Sequence, residues 1–134
     1  MSKSEMFASF LREEGYVPRL DNDGDVVFKY QGLTFVLFAS ENDQEFFRMG
    51  LPNFWRIESE DERQQALAAA AVVNAKLKVV KIFPVKDNLW ASAEMFIDPI
   101  ESFTKIFDRT LQLLRTSVFE FKAVMLGERE GMIQ

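Results

Sequence analysis

From Ile100 to Met125, the residues Ile100, Phe103, Phe107, Leu111, Leu114, Val118, Phe121 and Met125 alternate three and four apart. With 3.6 residues per turn, that spacing returns each of them to one side of a helix. A seam of this length folds only against a second apolar surface, which the rest of the chain must supply. Ile106, Leu113 and Phe119 lie off the seam. They require further burial, either in a wider intramolecular contact or against a second subunit.

The opposing surface is legible upstream as strands. Residues 3 to 14 read as a first helix, with Met6, Phe7, Phe10 and Leu11 on one stripe and Gly15 at the C-cap. Tyr16 to Leu20 is interrupted by Pro18 and is at most an edge strand. Val26 to Tyr30 and Leu33 to Ala39 read as strands joined at Gln31-Gly32, apolar on both sides, so their sheet is covered twice or used for binding. Asp43 to Met49 reads as a third strand with Phe46 and Phe47 on opposite faces, and Pro52 then leaves Phe54 and Trp55 in a connecting segment. Ser59 and Glu62 form a capping box for a helix to about Leu77, whose Ala66, Ala69, Ala70 and Val73 allow close approach to the sheet. Val79 to Val85 and Leu89 to Ile97 read as a hairpin closed at Asp87-Asn88, and Asp98-Pro99 opens the last helix. The last residues, EREGMIQ, read as frayed. The expectation is an α+β fold: a twisted antiparallel sheet of about five strands with three helices, in the order α-βββ-α-ββ-α.

At 134 residues, with no linker or repeat, the chain reads as one domain over residues 1–134. Fourteen phenylalanines exceed what a dense core of this size needs and leave aromatic surface over. A net charge of −5 disfavours nucleic acid, whose affinity comes from cations at phosphates. The longest apolar run, Ala66 to Val73, falls far short of the roughly 20 residues of a membrane span. No N-terminal cleavage signal is visible, and a cytoplasmic location without membrane insertion is expected. The chain has neither Cys nor His, which removes disulfides, thiolate nucleophiles, Cys/His zinc sites and Ser-His catalysis. No P-loop, dinucleotide-binding glycine pattern or nucleophile motif is present. The chain reads as non-enzymatic, with no catalytic residue, cofactor or metal assigned.

Several residue groups weigh function against structure. The DNDGD turn at Asp21–Asp25 invites calcium, but an EF-hand loop starting at Asp21 would place Val26 at position six and Gly32 at position twelve. A hairpin turn is the better reading. Lys29, Lys81 and Glu94 either face water or, for Lys81 and Glu94, pair across strands. Glu58, Glu60, Asp61 and Glu62 sit at a helix N-terminus, where the dipole favours negative charge. Phe54, Trp55 and Trp90 are interaction hot-spot candidates or plugs for one end of the core.

The stretches FLREEGY (Phe10 to Tyr16), DGDVVFKYQG (Asp23 to Gly32) and ENDQEFF (Glu41 to Phe47) resemble the YbjN-type family, labelled bacterial sensory transduction regulators. VNAKLKVVKI (Val73 to Ile82) and LWASAEMFI (Leu89 to Ile97) continue the resemblance. It implies a fold like that of class I type III secretion chaperones, paired α+β subunits whose apolar patches hold a client segment. The family brings no catalytic residues to transfer. The expected function is a homodimeric, chaperone-like or regulatory module that binds a client polypeptide through Phe54, Trp55, Trp90, Ile106, Leu113 and Phe119. Backbone pairing to a sheet edge is a second contribution. The alternative is a small-ligand sensor whose Phe/Met-lined pocket, between helix and sheet, sets dimer geometry.

Overall fold

A computed structural model describes residues 1–127; the segment EREGMIQ lies outside the described residues. The elements run α1 (Lys3–Glu13), β1 (Arg19–Leu20), β2 (Val26–Tyr30), β3 (Leu33–Phe38), β4 (Phe46–Arg56), α2 (Glu60–Lys76), β5 (Val80–Val85) and β6 (Asn88–Phe96). A 3₁₀ segment (Ile100–Lys105) then leads into α3 (Phe107–Met125). The strands form one antiparallel sheet in the order β1-β2-β3-β4-β6-β5. The expected order holds, with the two-residue β1 bringing the strand number to six.

Alternation along the strands sorts side chains to two faces. Phe28 pairs with Phe35, Leu37 with Met49, and Leu51 and Ile82 with Ala91. These residues share one buried cluster with Phe7 and Leu11 of α1, Ala66, Ala69, Ala70 and Val73 of α2, and the seam of α3. All three helices therefore cover the same face. The small side chains of α2 let it pack against β5 and α3, while Phe7, Phe47 and Phe103 fill the other end with edge-on and stacked rings. The seam residues Ile100 to Phe121 are buried, and Met125 is half-buried.

Three boundaries differ from expectation. Pro52 does not end the third predicted strand, because β3 pairs with β4 only from Arg48 to Gly50, and the β4–β6 register shifts between Leu51 and Trp55. Pro52 falls inside that shift, where no ladder bond is required of it. Phe54 and Trp55 are thus strand residues rather than part of a connection. The β5–β6 hairpin closes one residue early, at Lys86-Asp87, with Val85 opposite Asn88. Asp98 does not cap the last helix, which begins as 3₁₀ behind Pro99 and becomes regular only after Ile106.

Ser2 and Glu5 form a reciprocal capping box on α1. On α2 the box is half made: Ser59 accepts from the Glu62 amide, while the Glu62 carboxylate takes the amide of Glu58.

Candidate interaction surfaces

The face of the sheet away from the helices carries the aromatic surplus. Seven phenylalanines are fully buried: Phe7, Phe28, Phe35, Phe47, Phe103, Phe107 and Phe121. Phe10 and Phe54 pack against that core. Of the remaining five, Phe38, Phe46, Phe83 and Phe96 stand on the open face. Each alternates with core residues along its strand: Phe46 lies opposite Phe96, and Phe83 opposite Trp90. Ring contacts follow the register, at 6.0 Å for Phe46–Phe96 and 6.4 Å for Phe83–Trp90. Phe96 is 79% exposed. The Trp90 indole donates to Asn53 Oδ1 at 2.9 Å, which fixes the ring over the β4 register shift.

Gly50 shapes the middle of this face. A Cβ there would sit 2.7 Å from Phe38 Cε2, so only glycine lets the Phe38 ring lie over the strand. The Arg48 guanidinium lies over that ring, 4.2 Å from its centroid. Arg48 and Lys81 both face Glu94, at 3.6 and 2.8 Å, and the Ser92 hydroxyl donates to the same carboxylate at 2.8 Å. Burial alone would raise the Glu94 carboxyl. Hydrogen bonds from Lys81 and Ser92, with the charges of Lys81 and Arg48, outweigh burial and hold it below the usual carboxylate value. The cross-strand pair expected between Lys81 and Glu94 is present, and Lys29 is exposed.

The sheet edges offer little main chain. The Asn74 side chain of α2 donates to Ile82 O at 3.1 Å and accepts from Ile82 N at 2.7 Å, closing the outer edge of β5 at that residue. Pro84, the next outward-facing position, has no N–H to offer. At the opposite edge, β1 is two residues long. The edge contribution expected from sequence therefore has no long strand to build on among the described residues.

On the helical side, a groove of about 590 Å³ runs between α3 and the α2–β5 connection. Leu77, Val79, Met95, Ile106 and Leu113 give it apolar walls. It is Met-lined, as the sensor reading expects, but no phenylalanine lines it.

The six residues proposed from sequence do not form one site. Ile106 and Leu113 meet in the groove. Trp90 is on the far side of the sheet. Phe54 and Trp55 turn inward onto Phe121, with centroids at 5.2 and 5.4 Å, and close one end of the core. Phe119 is 52% exposed and lies beside Arg115 on α3. Six residues separate it from Leu113, about 120° around the helix, so the off-seam residues are two patches rather than one. Sequence reasoning did not single out Phe38, Phe46, Phe83 and Phe96; the cross-strand order of Phe83 with Trp90 was the available signal.

The carboxylates of Asp21, Asp23 and Asp25 come within 4.8 Å of one another. Asp21 Oδ1 accepts the amides of Asp23 and Asp25, both at 2.9 Å, and Asp25 Oδ1 accepts the amide of Ala39 at 2.8 Å. These bonds are those of a turn that ties β2 to the end of β3. Glu58, Glu60 and Asp61 are exposed and Glu62 is half-buried at the start of α2, as expected for dipole-favoured charge.

One sheet with a single helical layer, an aromatic open face and an apolar groove defines a two-layer α+β domain. The profile of the YbjN family, described as "Putative bacterial sensory transduction regulator", matches residues 3–98, well over half the chain, and the chain belongs to that family. The matched span takes in α1, the whole sheet and α2, and stops ahead of α3. No curated protein and no solved structure matches the chain, and no structural neighbour supports the likeness to type III secretion chaperones. The family is described as a regulator. Among the described residues no helix is long and apolar enough to cross a membrane.

Proposed function

We propose that this regulatory protein takes a polypeptide partner on the open face of its sheet. One observation carries the reading: four of the five phenylalanines left outside the core, together with Trp90, stand on that face. Aromatic anchors dominate interface energetics. A sheet face lacks the concavity that a small ligand needs, which favours a macromolecular surface. The Glu94 carboxylate is already engaged by Lys81 and Arg48, which lowers the cost of covering these charges. The homodimer inferred from the off-seam residues of α3 rests on Phe119, since Ile106 and Leu113 line the groove.

A photo-crosslinking residue placed at Phe46 or Phe96 in cells tests this. The expected result is one discrete polypeptide adduct from both positions and none from exposed Val72 of α2, in the helical layer. With that partner purified, Phe46→Ser combined with Phe96→Ser should weaken binding by roughly tenfold or more. Adducts formed equally from Val72, or only with a second copy of the chain, would overturn the reading.

A further inference from the structure

The groove beside α3 differs in charge from the chain as a whole. Lys76, Lys78 and Arg109 line it and no carboxylate does, in a sequence with 21 acidic and 16 basic residues. Lys76 is held by Glu120 at 2.8 Å. Neither Lys78 nor Arg109 has an ion-pair partner among the described residues. Beneath these cations, Ile106 and Leu113 are seven residues apart, which makes the apolar floor about 10 Å long.

The lip of the groove is strained. Val79 has φ of 54°, and the Val80 amide donates across it to Lys78 O at 2.7 Å. A β-branched residue in the left-handed region is an outlier, because its Cβ crowds the backbone there. Tertiary burial does not explain it, since the side chain is 51% exposed and lines the groove. Strain of this kind persists where the surroundings impose it, and it gathers at ligand clamps.

We propose that the groove binds a small amphipathic carboxylate, its aliphatic tail along Leu77, Met95, Ile106 and Leu113 and its anionic head between Lys78 and Arg109. The volume of about 590 Å³ lies within the range of small-molecule sites. A partner helix would need a longer row of anchor pockets than a floor of two helical turns provides. Free cations over an apolar floor select against neutral and cationic lipophiles. The site is in the helical layer, separate from the open sheet face, so the two readings stand or fall independently.

The experiment compares dodecanoate, dodecanol and dodecylammonium below their micelle-forming concentrations, by calorimetry and by thermal shift. Dodecanoate is expected to bind one per chain, saturably, and to raise the melting temperature. Dodecylammonium should bind roughly tenfold more weakly or worse. Lys78→Gln with Arg109→Gln, both at exposed positions, should cut dodecanoate affinity by roughly tenfold and leave dodecanol unchanged. Leu113→Asn should weaken both, with circular dichroism checking that the fold is intact. Equal affinity for all three lipophiles, no saturable dodecanoate binding, or binding only of an acidic amphipathic peptide would each overturn the proposal.

Discussion

The ammonium nitrogen of Lys3 lies 2.6 Å from the carbonyl oxygen of Phe46. It also reaches Asp43 O at 3.0 Å and Ser40 O at 3.3 Å, so all three of its N–H donors are used. Burial pushes its pKa down from 10.5, and the charges of Asp43 and Glu41 partly offset that. The first residue of α1 thereby anchors the β3–β4 connection and the start of β4, where Phe46 meets the open face. Lys3→Met should leave carbonyls unpaired and cost about 2–4 kcal/mol. Urea unfolding measures this. A loss under about 0.5 kcal/mol would mean that water substitutes for the ammonium.

Glu94 makes stability depend on acid. Its folded pKa lies below the ordinary 4.5, so its contribution is present above that value and disappears as pH falls through the folded pKa. At neutral pH, Glu94→Gln should be less stable by about 1 kcal/mol. The two proteins should converge as the solution is acidified. Thermal unfolding across pH reads the difference, and a gap that widens in acid would contradict the assignment.

Asn74 guards the β5 edge. Asn74→Ala leaves the Ile82 amide and carbonyl without their partner, at an expected cost of about 1–2 kcal/mol. The variant should also self-associate more, because an unblocked edge templates strand pairing. Light scattering at rising concentration tests the second effect apart from the first.

Val79→Gly should raise stability by about 1 kcal/mol, since relief of left-handed strain outweighs the added freedom of glycine in the unfolded chain. The same change removes the lip of the groove and should weaken dodecanoate binding. Unfolding and calorimetry on one preparation decide whether the two effects move in opposite directions.

Periodicity made much of this fold legible. The α3 seam, the small-residue face of α2 and the Gln31-Gly32 hairpin were all readable, because each is a local pattern with one structural solution. β4 was cut short at Pro52 because only its neighbours show that no amide is needed there. The 3₁₀ start of the last helix was missed because an Asp-Pro pair reads the same before either helix type. The two-sided strands left double cover and a binding face both open. Setting aside double cover required knowing that α1, α2 and α3 all share one side. Ile106 and Leu113 were named only together with Phe119, and Lys78 and Arg109 carry no signal until the chain brings α3 beside the α2–β5 connection.

The sealing of Ile82 by Asn74 reaches beyond stability. An edge closed at that residue offers an extended visitor no continuous row of backbone groups along β5. On the proposed reading, selectivity on the aromatic side must then be written in the shape and grease of the visitor's own side chains. A drifting unfolded segment, however sticky, finds no ladder there to climb.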